Sequence, residues 1–172
     1  MQTSYIVTFI GDDRPGLVEA LSASIEANGG NWLESRLAQL GGKFTGLVRV
    51  SLPDEHGPAL ETALKDLATS GLSVRVTRID EPARVERVGR DIHLSVIGPD
   101  RPGIVREIAH ALSTRSINVV EMESGVSSAP MSAELLFQAD IVATIPEATD
   151  LLDLQESLAE IANHMALDID LQ

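Results

Sequence analysis

The chain has 172 residues, 44% hydrophobic and 23% charged, with 13 Lys and Arg against 26 Asp and Glu for a formal net charge of -13. That length holds one or two domains with a buried core, which excludes a disordered chain. There is no cysteine, which excludes disulfides, thiolate metal sites and a cysteine nucleophile, and the acidity opposes direct binding to a phosphate backbone.

In chain order, Tyr5, Val7 and Phe9 alternate with Ile6, Thr8 and Ile10, a period-two strand. Pro15 opens a helix whose stripe is Leu17, Leu21 and Ile25, and Gly29-Gly30 ends it. Residues 31–40 and 44–52 read as a hairpin about Gly41-Gly42, with Phe44, Gly46, Val48, Val50 and Leu52 on one face. A second helix after Pro53 carries Leu60, Ala63, Leu64 and Leu67. Gly71 stops it, and Leu72, Val74 and Val76 make a fourth strand.

The pattern then repeats. Gly11-Asp12-Asp13-Arg14-Pro15-Gly16-Leu17-Val18 recurs as Gly98-Pro99-Asp100-Arg101-Pro102-Gly103-Ile104-Val105, an offset of 87 residues. The same offset carries Leu21 to Ile108, Ile25 to Leu112, Asn31 to Asn118 and Glu34 to Glu121. Pro53 matches Pro146 at an offset of 93, so the second copy has six extra residues, placed in a longer hairpin loop near Ser127–Ser132. Its strands are expected at Ile92-Leu94-Val96, Leu135–Ile145 and Leu167-Ile169-Leu171. Its helix stripes are Ile104-Ile108-Leu112 and Leu151-Leu154-Leu158-Ile161.

The order βαββαβ is the split-βαβ, ferredoxin-like plan. The fold class is therefore α+β: two antiparallel four-stranded sheets, each with two helices on one face. The expected domains are residues 1–80 and 88–172, with a linker at 81–87. The opposite sheet face carries Ile6, Ile10, Leu47 and Ile97. It is less polar than a solvated face should be, and is expected to pack against the other copy or a second chain.

Two βαββαβ units, each with Asp-Arg-Pro-Gly between first strand and first helix, resemble tandem ACT domains. The pair and its spacing, over nearly the whole chain, are similar to the glycine cleavage system transcriptional repressor family. Paired ACT units also precede catalytic domains, as in phosphoserine phosphatases and formyltetrahydrofolate deformylases; here no catalytic domain is expected. The resemblance implies a regulatory protein that senses an amino acid, glycine or serine, at an interface between paired domains. It also implies a partner, a LysR-type transcriptional activator antagonised by protein contact, and a homodimer.

The turn has chemistry suited to an amino acid. Helix N-termini carry unpaired N–H groups and partial positive charge, where a carboxylate can sit. Gly16 and Gly103 leave the backbone approachable. Pro15 and Pro102 suit a first helical turn. Asp13 and Asp100 can cap the helix or accept from an ammonium, two uses that compete. Arg14 and Arg101 can pair with a carboxylate, and Asn31 and Asn118 offer both a donor and an acceptor. The resemblance supports the turn glycines and the asparagines as ligand contacts. The other reading is structural: Asp-x-Pro-Gly also starts a helix well, and Asn after a helix is a common stop. Asp12 against Pro99 makes the two turns chemically unequal.

No catalytic, cofactor or metal site is expected. His56, His93, His110 and His164 lack a helical metal-pair spacing; His93 is placed on the open sheet face. Glu121 and Glu123 share one side of a strand with no nucleophile beside them. There is no Walker loop and no Gly-x-Ser-x-Gly elbow. With 13 basic residues, none after Arg115, and 3% aromatics, no nucleic-acid surface is expected. No apolar run reaches the ~20 residues of a membrane span and no signal peptide is expected, which places the chain in the cytoplasm. The alternative functions are an interaction module without a metabolite, with the acidic residues 116–172 meeting a basic partner, and a detached regulatory subunit of a metabolic enzyme.

Overall fold

A computed structural model describes residues 2–67, 71–79 and 89–172. The chain divides into two compact units, residues 1–83 and 84–172. The linker expected at 81–87 lies outside the described residues.

In the first unit, β1 (Gln2–Asp12) leads to α1 (Leu17–Ala27), then β2 (Asn31–Leu40), β3 (Lys43–Pro53), α2 (Gly57–Asp66) and β4 (Leu72–Ile79). The sheet order is β2-β3-β1-β4, and every pairing is antiparallel. Period-two burial sends Tyr5, Val7, Phe9, Val48, Val50 and Leu52 toward the helices. There they meet Leu17, Leu21 and Ile25 of α1 and Leu60 and Leu64 of α2, with Trp32, Leu37 and Phe44 packed at the margin. Each fully buried Leu contributes about 1.5–3 kcal/mol by leaving water.

The second unit repeats this with β5 (Arg90–Pro99), α3 (Ile104–Ser113), β6 (Asn118–Ser128), β7 (Leu135–Ile145), α4 (Leu151–Met165) and β8 (Asp168–Leu171). Its order, β6-β7-β5-β8, is the same. Ile92, Leu94, Val96, Ile104, Ile108, Leu112, Leu154 and Leu158 form its core with the inward side of β7. The repeat extends to irregular detail: the register slips between Trp32 and Glu34 and again between Val119 and Glu121, the same bulge 87 positions on. The six extra residues lie where expected. Leu40 pairs with Lys43 across two residues, whereas Ser127 pairs with Leu136, and the longer hairpin adds the pair Ser128–Leu135.

Two boundaries differ from expectation. Pro15 does not open α1, which begins at Leu17 with Gly16 as its N-cap; Pro102 stands likewise before Gly103 and α3. A single 3-10 turn, Asp54–His56, separates Pro53 from α2, so that helix starts at Gly57. Both first helices end in the same reverse turn. Gly30 N–H donates to the Ile25 carbonyl at 2.9 Å, and Ile117 N–H to that of Leu112 at 3.0 Å.

Candidate functional site

The two Asp-Arg-Pro-Gly turns lie between the end of β1 and α1, and between β5 and α3. Their glycines adopt the left-handed conformation, φ 88° at Gly16 and 99° at Gly103. Each glycine carbonyl then accepts the first intrahelical bond, from Ala20 N–H and from Glu107 N–H, both at 2.9 Å. No side chain caps either helix. First-turn N–H groups at both helices are therefore left without side-chain acceptors.

This corrects the capping role expected of Asp13 and Asp100. With glycine at the N-cap, those aspartates stand three residues too early to reach the first-turn donors. Asp13 turns instead to the neighbouring hairpin. Its Oδ2 accepts from Gln39 Nε2 at 2.6 Å, and its N–H donates to the Gly42 carbonyl at 3.1 Å. Asp100 N–H donates to the Leu135 carbonyl at 2.8 Å. The carboxylate that does cap a helix is Asp150, whose Oδ1 accepts from Leu152 N–H at 2.9 Å.

The turns are unequal, as Asp12 against Pro99 suggested. Asp12 pairs with Lys43 across the strands, and the Lys43 hydrogen bond holds its carboxyl below the ordinary range, with smaller help from Arg14. Pro99 faces Leu136 at the matching register position and has no charge to pair. Arg14, Pro15, Gly16, Leu17, Ala20, Leu67 and Leu72 line a cleft of about 150 Å³. At ~30 Å³ of liquid volume per water, that is room for a ligand of a few heavy atoms. Arg14, Arg101 and Pro102 are exposed, and Gly103 is half-buried.

The structure does not gather all the expected residues of one unit. Asn31 is the first residue of β2 and pairs with Ser51, which lies opposite Ser4. The turn follows Asp12, eight residues along β1 from Ser4 at ~3.4 Å each, so the strand end that leads into the turn lies about 27 Å from the end beside Asn31. Asn118, opposite Thr144, repeats that placement in the second unit. Sequence reasoning missed Gln39 and Lys43, which tie the turn to the hairpin. Their signal was available in the register that a two-residue Gly41-Gly42 turn imposes. Among the described residues no three His, Asp or Glu side chains converge as a metal site, and no helix is long and apolar enough to cross a membrane.

Two family models match the chain, both described as the ACT domain, over residues 3–77 and 92–162. The chain is a tandem ACT-domain protein. It is 22% identical over 161 residues to the glycine cleavage system transcriptional repressor of Escherichia coli (strain K12), covering 93% of this chain and 84% of that one. The Shigella flexneri repressor matches to the same extent. In three dimensions it resembles an unknown protein from Galdieria sulphuraria at a TM-score of 0.87 and 29% identity, over 100% of this chain and 98% of that one. It also shares the fold of a protein provisionally named a glycine cleavage system transcriptional repressor, at a TM-score of 0.73 and 21% identity over 100% and 97% of the two chains. The chain is thus a tandem of ACT regulatory domains that resembles that repressor.

Proposed function

We propose that this tandem ACT chain is a non-catalytic, cytoplasmic regulator that senses an amino acid and controls a transcriptional activator by protein contact. The observation that carries the ligand reading is the pair of uncapped helix starts, each entered through a left-handed glycine. Donor groups, helix polarity and, at the first turn, Arg14 all favour a carboxylate. The small cleft favours glycine or serine over a larger amino acid. Asn31 and Asn118 stand too far from the turn of their own unit to share a ligand with it. A site that uses a turn and an asparagine therefore takes them from different units, which agrees with a ligand held between paired domains and with a homodimer.

The activator is read as LysR-type from the repressor likeness, and the net charge of -13 supports contact with protein rather than DNA. Control then requires that the amino acid bind the free and partner-bound states with different affinity. Titration calorimetry against glycine, serine and a wider amino-acid panel tests the sensor. Saturable heat that is lost in Gly16→Asp or Gly103→Asp, with the fold retained, is the expected result. No heat from a folded sample would remove the sensor reading and leave a module that works by protein contact alone.

A further inference from the structure

The face of each sheet turned away from its helices was expected to be covered, and the strand registers now specify what each face carries. In the first unit, Ile6, Thr8 and Ile10 of β1 lie beside Leu47 and Arg49 of β3 and Arg75 of β4, with Arg36 of β2 opposite Leu47. Lys43 stands on the same side. Among the described residues, four cations thus share this face with two carboxylates, Asp12 and Glu34, and each carboxylate is paired within it. At its centre, Ile10 and Leu47 are about half exposed.

The matching face of the second unit has the opposite sign. Asp91 on β5, Glu121 and Glu123 on β6, Asp140 on β7, and Asp168 and Asp170 on β8 all lie on it. All six are exposed, and among the described residues the face holds no Lys or Arg, only His93. Its apolar centre is Ile97 with Val142 beside His93. Two faces with apolar centres and opposite charge fit the arrangement of a sheet-on-sheet interface.

We propose that the basic open face of the first unit docks on the acidic open face of the second unit of another copy of this chain. The inference deepens the homodimer in the proposed function by naming its surface, and it needs neither ligand nor activator. Like faces repel, so first unit on first unit and second on second are both disfavoured. In a two-fold dimer the contact forms twice. A face four strands wide and five residues long is about 19 by 17 Å at ordinary strand spacing. Four such faces cover about 1,300 Å², within the range of specific interfaces of 1,200–2,000 Å².

Sedimentation velocity of the full chain, without ligand, tests this. The wild type is expected to sediment as a dimer at low salt and to dissociate as ionic strength approaches ~1 M, where the screening length is about 3 Å. Two variants decide the surface. Arg36→Glu with Arg75→Glu makes both faces net acidic, and Glu121→Lys, Glu123→Lys, Asp168→Lys and Asp170→Lys together, all on the edge strands β6 and β8, make both faces net basic. Each alone is expected to be monomeric, and an equimolar mixture is expected to regain the dimer, which also shows that both variants fold. A monomeric wild type at low salt, a dimer that persists in either variant, or a mixture that stays monomeric would overturn the proposal.

Discussion

Gly16 and Gly46 are both glycines for different physical reasons, and substituting alanine separates them. At Gly16, φ is 88° and a Cβ would meet nothing within 4 Å. The cost of Gly16→Ala is then the left-handed backbone alone, roughly 1–2 kcal/mol. At Gly46, a Cβ would lie 2.4 Å from Leu37 Cδ2 and 2.7 Å from the Arg36 carbonyl oxygen, the latter backbone that cannot move without disturbing β2. Gly46→Ala is an overpacking change, with a cost of about 1–3 kcal/mol or more. The assay is urea unfolding followed by the emission of Trp32, the only tryptophan, which packs at the margin of the first unit's core. With an m-value of about 1–2 kcal/mol/M, Gly16→Ala lowers the midpoint by roughly 1 M. Gly16→Asn recovers part of that loss, since asparagine tolerates positive φ, whereas Gly46→Asn is worse than Gly46→Ala. An unchanged midpoint in Gly16→Ala, or a Gly46→Ala protein as stable as the wild type, would refute the reasoning.

The end of α3 invites a gain. Ser116 holds φ 57° where the first unit has Gly29 at φ 74°, so Ser116→Gly is expected to add about 1 kcal/mol and raise the melting temperature by about 4–8 °C in calorimetry. Asp12 is held in its charged form by Lys43. Its folded pKa is below the unfolded one, so its stabilisation is full above the ordinary carboxylate range and fades as pH falls through the lowered pKa. A carbon-13 titration of the Asp12 carboxyl is expected to show the low midpoint, and Lys43→Ala to move it back upward. Tyr5 is the only tyrosine. Burial, then the charge of Asp54, push its phenol above the ordinary value of 10.0 against the opposing Arg78. Absorbance at alkaline pH is expected to show a late ionisation that Asp54→Asn brings earlier; the matching stabilisation is full below pH 10 and is lost as pH rises through the raised pKa.

Much of the fold was legible because two periodicities were written twice. The alternation of Tyr5, Val7 and Phe9 and the stripe of Leu17, Leu21 and Ile25 reappear 87 residues later, so each copy checks the other. Both cores hold the residues the periodicities name. Helix starts were less legible. Pro15 has the right φ for a first turn, but that says nothing of Gly16, whose left-handed backbone moves the N-cap to itself and takes the capping role from Asp13. The site was the least legible part. Spacing along the chain puts Asn31 only 15 residues after Gly16, yet α1 carries the chain back to the other end of the sheet before β2 begins. Proximity in sequence therefore opposes proximity in space here, and only the strand register reveals it.

That separation keeps each asparagine from sharing a ligand with its own turn, so the inequality of the two turns bears on what each turn can hold by itself. Asp12 forms an ion pair with Lys43 beside the first turn, while Pro99 brings no charge beside the second. On the proposed sensor reading, a ligand ammonium at the first turn competes with Lys43 for the Asp12 carboxylate. The second turn has no such pair. Duplicated domains with one such difference can divide the work, with one turn selecting an amino acid over a simple carboxylate and the other contributing packing. Asp12→Pro tests the division directly, because it gives the first turn the residue of the second. Calorimetry is expected to show weaker glycine binding with acetate binding unchanged or stronger, and an equal loss for both ligands would mean that Asp12 positions the turn rather than reads the ammonium.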